Sequence, residues 1–223
     1  MSANATEVKT LTRELVSIPS HADESAAGDA VESWLREETD ADVTRDRHGN
    51  VVARRGDGKS LALVGHHDVV EPDESQVVAP GEDVDDNDAG DGEGPPDDEE
   101  GLPDDEEGLP DDEEGPPDDA EYVVEERDGR LYGRGTADMK GSLAAAMLAF
   151  RDADPAGELV FASFVGEEQG GVGARAAIDD GFAPDYAVVG EGSTNYAGED
   201  QTDVVVAHRG RRGSTLTARG TAA

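Results

Sequence analysis

The sequence predicts an α/β fold in which a mostly parallel sheet is layered with helices. Two observations carry this. Stretches of helical period alternate along the chain with short apolar runs, and three of those runs lead straight into a glycine followed by acidic or imidazole side chains. The 223 residues, 35% of them hydrophobic, suffice for one ordinary domain or a domain with part of a second.

Val8, Leu11 and Leu15 fall at helical spacing, and Pro19 ends that segment. A second helix over 25–38 places Ala27, Val31, Trp34 and Leu35 on one buried face. Residues 42–44 and 50–54 read as short strands around the turn His48-Gly49-Asn50. The run 61–65 is apolar throughout, as expected of a strand covered on both faces of a parallel sheet. Residues 122–126 and 130–132 flank Asp128-Gly129, a hairpin signal. Beyond it, 139–151 is an Ala- and Leu-rich helix, 158–165 a strand, 172–180 a helix and 186–189 a strand.

Charge narrows the function classes. The 54 acidic side chains against 18 basic ones give a net charge of −36, the wrong sign for a surface that neutralises phosphates, so nucleic acid is excluded as the main partner. With no cysteine, disulfides and thiolate ligands are excluded, and any metal must be held by His, Asp and Glu. The first twenty residues lack the apolar stretch of a signal peptide or membrane helix, so the expectation is a soluble cytoplasmic protein with no membrane partner. Residues 82–121 hold 22 acids and no Lys or Arg, leaving −14 elsewhere; three of the basic residues are lysines and 15 are arginines. That composition resembles proteins of a high-salt cytoplasm, where a Debye length of ~3 Å near 1 M salt screens self-repulsion. Seven-residue units start at Gly94, Gly101, Gly108 and Gly115, but their Gly and Pro and the near absence of apolar residues forbid a coiled-coil seam. Residues 81–121 are therefore expected to be a disordered acidic insertion between 1–80 and 122–200. A calcium loop does not fit, because counting from Asp83 the sixth position is Asp88 instead of Gly and the twelfth is Gly94 instead of Glu.

Chemistry concentrates at the strand ends. Gly65-His66-His67-Asp68 follows one apolar run, Gly166-Glu167-Glu168 another and Gly190-Glu191 a third, while Gly135-Thr136-Ala137-Asp138 opens a helix. Ligands of open α/β sheets lie beyond the carboxyl ends of strands. One imidazole with several carboxylates fits a hard or borderline divalent ion, zinc or a close relative. Alone, His66 would read as a core histidine and Glu167-Glu168 as a solvated pair; together with Asp68, Asp138 and Glu191 they read as a site. His67 points to the opposite strand face and reads as structural. Lys140 reads as a surface residue at a helix start, and His21 and His48 as exposed.

These segments, with Gly133-Arg134-Gly135-Thr136-Ala137-Asp138-Met139-Lys140-Gly141, resemble the signature motifs of the M20 family of co-catalytic zinc peptidases and amidohydrolases. The resemblance implies a zinc exopeptidase-like catalytic domain and hydrolysis of the amide bond of an N-acyl amino acid, of desuccinylase or deacetylase type in amino-acid biosynthesis, through a di-zinc-activated water. It implies two Zn2+ per subunit, with Co2+ or Mn2+ possible substitutes: His66 and Glu191 on the first metal, Glu168 on the second, and Asp138 bridging both. Asp68 would orient the His66 imidazole, and Glu167 would be the general base. A dipeptidase or carboxypeptidase of the same family is the neighbouring alternative.

The resemblance also sets expectations for the end of the chain. Residues 203–207 and 212–223 resemble the opening strands of an inserted α+β lid, placing the start of a truncated lid or dimerisation domain at 201–223. The family's lid histidine and its C-terminal zinc histidine are not matched, and His208 is a poor substitute. Residues 1–223 alone are thus expected to have weak or absent activity, or to be a non-catalytic remnant binding a single metal. The family's homodimer is expected of the full-length protein and not of this chain.

Overall fold

The structure is a computed structural model and describes residues 3–78, 121–192 and 204–206. The chain divides into a compact unit, Met1–Gly192, and a second unit, Ser193–Ala223, of which only the exposed residues 204–206 are described. The expected lid at 201–223 and nearly all of the acidic insertion expected at 81–121 lie outside the described residues. Glu121 itself is a strand residue.

The elements of the first unit follow the anticipated order. Helix α1 is Ala3–Val16 and α2 is Ser25–Glu38, whose first amide donates to the Asp23 carboxylate at 2.8 Å. Strands β1 (Asp42–Arg45), β2 (Val51–Arg55) and β3 (Ser60–His66) come next. Two short pieces, β4 (Val77–Val78) and β5 (Glu121–Tyr122), pair with each other, bringing the two ends of the acidic tract together at Val78 and Glu121. Strands β6 (Glu125–Arg127) and β7 (Arg130–Tyr132) form a hairpin at the expected turn, but because Tyr122 of β5 pairs with Val77, its first strand starts at Glu125 and not at 122. Its turn residues Asp128 and Gly129 have φ of 53° and 76°, as a type I′ turn requires. Helix α3 (Gly141–Asp152), β8 (Glu158–Phe164), α4 (Val172–Asp179) and β9 (Tyr186–Val189) complete the unit.

The main sheet has the order β1-β2-β8-β3-β9. β8, β3 and β9 pair in parallel, β2 runs against β8, and β1 runs against β2, so four of the five strands share one direction. The register sets His66 opposite Phe164 and Val64 opposite Val189, which brings the carboxyl ends of β3, β8 and β9 to one edge. Side chains alternate across β8. Leu159 and Phe161 pack with Leu11, Leu15, Val31, Leu35, Leu143, Met147 and Phe150 of α1, α2 and α3, while Ala162 and Phe164 pack with Ala177 of α4 on the other face. Truncating a residue such as Phe161 would cost about 3–5 kcal/mol.

Three expectations are corrected. The run 61–65 is not covered throughout: Leu61 is 38% exposed, because the described helices cover β8 more fully than β3 and β9. Trp34 is only partly buried, with the Arg151 guanidinium 5.8 Å from its ring centre. Lys140 is no surface residue; it is buried beneath the turn that precedes α3.

Candidate metal centre

The strand edge assembles the site. His66 ends β3 and is 1% exposed. Its Nδ1 faces Asp68 twice, at 3.0 Å to the backbone carbonyl and 3.3 Å to Oδ1. That leaves Nε2 toward Asp138 Oδ1 at 3.2 Å and Glu191 Oε1 at 3.6 Å. Holding one ring nitrogen so that the other faces a cation is what a histidine ligand requires. Asp68 is itself buried, and its Oδ2 accepts the Glu168 N–H at 3.0 Å, joining the end of β3 to the loop after β8.

That loop is built to display acids. Gly170 N–H donates to the Glu167 carbonyl and Val172 N–H to that of Gly166, while Gly170 and Gly171 have φ of 91° and 70°. The turn thus closes without side chains and leaves Glu167 exposed. Asn50, fully buried, anchors it: Oδ1 accepts the Val165 N–H at 3.1 Å, and Nδ2 donates to the Gly173 carbonyl at 3.1 Å and to Asp46 at 2.7 Å.

Asp138 lies in a non-helical turn over Thr136–Lys140, where the Asp138–Met139 peptide bond is cis. The Asp138 side chain is 63% exposed, whereas Met139 and Lys140 behind it are buried. A Cβ on Gly65 would stand 2.7 Å from Met139 Cε, and one on Gly190 3.4 Å. Glycine thus precedes both His66 and Glu191 where the chain must pass close to Met139.

Two sets of donors lie within 4.8 Å of one another: His66, Asp138 and Glu191, and His66, Glu167 and Glu168. All five expected donors and bases therefore meet at one edge. Burial, then the charges of Asp138 and Glu167, push the carboxyls of Glu168 and Glu191 above the usual range. Burial alone would lower His66; the Asp68 hydrogen bond and charge, with Glu191, outweigh it and hold the imidazole at about 9. Crowded acids around one oriented imidazole nitrogen suit a divalent cation, which relieves their mutual repulsion.

The neighbouring histidines separate from this group. His67 is buried with Nδ1 2.8 Å from Ser163 Oγ, and burial pushes it down to about 4, in keeping with a structural role. His48 is exposed as expected. His21 is not: its Nδ1 lies 2.7 Å from the Tyr122 hydroxyl and its Nε2 is buried. Asn50 and Met139 build the site without having been singled out by the sequence. A turn asparagine and a helix-flanking methionine carry no local sign that they will be buried against glycines.

Comparison with known proteins gives partial matches. Residues 107–216 match the model of peptidase family M20/M25/M40. That span contains Asp138, Glu167, Glu168 and Glu191, while His66 and Asp68 join them through the sheet. A probable succinyl-diaminopimelate desuccinylase of Staphylococcus epidermidis is 33% identical over 109 residues, 46% of this chain and 25% of that protein. The chain thus spans about a quarter of the length of this relative. In fold it is similar to human carnosine dipeptidase 1 (TM-score 0.55, 20% identity, 83% of this chain and 38% of that one). It is also similar to an M20 family metallo-carboxypeptidase of Sulfolobus solfataricus (TM-score 0.56, 15% identity, 82% and 37%). At 20% and 15% identity these two structures bear on the fold. No helix among the described residues is long and apolar enough to cross a membrane.

Proposed function

We propose that this chain carries the metal-binding face of a hydrolase of linear amides, acting on N-acyl amino acids of the succinyl or acetyl type. The observation that carries the reading is the convergence of His66 Nε2 with Asp138 and Glu191 at 3.2 and 3.6 Å, beside Glu167 and Glu168. His66, Asp138 and Glu191 would hold one ion, and Asp138 with Glu168 would contribute to a second, zinc in both positions with Co2+ or Mn2+ able to replace it. A divalent ion there supplies Lewis acidity toward an amide carbonyl and toward water. Glu167, exposed and not needed as a donor for the first ion, takes the proton from the attacking water and returns it to the departing amine. Asp68 keeps the His66 imidazole turned toward the centre. The acidic surface and the scarcity of lysine fit a cytoplasm of high salt.

A second reading is favoured by one observation: both donor sets draw on the same imidazole, His66. Residues 1–223 by themselves would then hold a single ion and hydrolyse weakly or not at all. Equilibrium dialysis against Zn2+, with hydrolysis of N-succinyl and N-acetyl amino acids and of dipeptides followed in parallel, separates the readings. Two ions per chain with a rate that drops about 100-fold or more in Glu167→Gln supports the hydrolase. One ion without turnover supports the second reading, and zinc uptake undiminished in His66→Ala contradicts both.

A further inference from the structure

We propose that Lys140 is a positioning residue for this centre, its buried amino group tying the turn that carries Asp138 to the 18–21 segment and so to the backbone beside Asp68. The inference rests on reading the centre as a cation site. Asp138 is too exposed to be fixed by its own packing, so the residues after it in the turn must fix it. Lys140 is 1% exposed, and its Nζ donates to the Ile18 carbonyl at 2.7 Å and lies 5.9 Å from the Tyr122 ring centre. Its backbone N–H closes the Asp138 turn on the Gly135 carbonyl at 2.9 Å.

The contacts continue toward the other ligand. The Tyr122 hydroxyl accepts the Ser20 N–H at 3.4 Å and pairs with His21 Nδ1 at 2.7 Å. The Ser20 carbonyl accepts the N–H of Val69, the residue after Asp68, at 3.2 Å. One polar chain therefore links the support of Asp138 to the support of His66, two ligands 72 positions apart. Burying an amine costs free energy that an apolar side chain of the same length would not incur. Methionine would fill the space, so what lysine adds is polar: the bond to Ile18, the cation beside the Tyr122 ring and a charge felt by Asp68. A side chain kept at such a cost for contacts to the segments beside both ligands serves geometry more than stability.

The test uses the whole 223-residue chain, titrated with Co2+ and read by its visible absorption band, with urea unfolding alongside. Lys140→Met is expected to unfold at the same or higher urea concentration, to bind Co2+ about ten-fold more weakly and to shift the band. Tyr122→Phe leaves the Lys140 bond intact but removes the hydroxyl link, and is expected to weaken binding in the same direction by a smaller factor; it carries the test if Lys140→Met does not fold. Unchanged affinity and band in the variants that fold would overturn the inference while leaving the cation site standing. No Co2+ band in the parent chain, or one that survives in His66→Ala, would remove the cation reading and the inference with it.

Discussion

At the scale of single residues, buried Asn50 holds the loop of the site without taking part in it. Asn50 satisfies backbone groups at the end of β8 and the start of α4. Asn50→Ala is expected to cost about 2–4 kcal/mol, because it strands buried partners, and urea denaturation measures it. His67 supplies a pH dependence. Its folded value of about 4 lies below the ordinary 6.5, so the unfolded chain binds the extra proton between those limits, and the stability from neutral burial is lost as pH falls through that window. From pH 6.5 to 4 the parent should lose about 3 kcal/mol more than His67→Asn, which keeps a partner for Ser163. Equal losses in the two proteins would remove that assignment. That His66, Asp68, Asp138, Glu167, Glu168 and Glu191 lie near one another was suggested by the apolar runs and the helix start beside them, since parallel strands bring such positions to one sheet edge; their roles are proposals. Asn50, Lys140 and His21 were not, since their burial comes from segments far away in sequence.

At the scale of elements, the centre depends on α3 and its preceding turn lying against the ends of β3 and β9. Met139 is the wedge, packed against the glycines before His66 and Glu191. Met139→Ala is expected to lower stability by about 2–5 kcal/mol through the cavity it leaves, and to weaken metal uptake as well. A loss of stability with unchanged uptake in the same dialysis assay would confine Met139 to the core. Most helices and strands were legible within a residue or two, because α2, β3, β8 and β9 each carry a clear period or apolar run. The β4–β5 ladder was not, as two-residue strands have no period to read. It makes a further expectation possible: with Val78 and Glu121 paired, residues 79–120 can be replaced by Asn-Gly, the shortest favoured hairpin link. The thermal midpoint should not fall, since a shorter loop costs less to close. A variant that fails to fold would give the tract a structural role.

At the scale of the whole chain, net charge bears on stability. A net −36 opposes compaction in dilute buffer. The thermal midpoint should rise between 0.1 M and 1 M KCl, where the screening length falls from about 10 Å to about 3 Å, and the rise should shrink when the 21 acids of 79–120 are removed. Equal rises in both would locate the salt effect in the remaining surface. The α/β class was legible because alternating elements leave few topologies open, and the turn at 48–50 already set β2 against β1, whereas the pairing of β2 with β8 was not legible, since it joins segments about a hundred residues apart.

The central claim, that one imidazole and several carboxylates from distant segments share a cation, is tested most directly by X-ray absorption at the zinc edge on the zinc-loaded protein. The account predicts a shell of nitrogen and oxygen at about 2.0–2.2 Å, with scattering from a single imidazole that disappears in His66→Ala. Two or more imidazoles on the zinc, or a spectrum unaltered by that substitution, would contradict it.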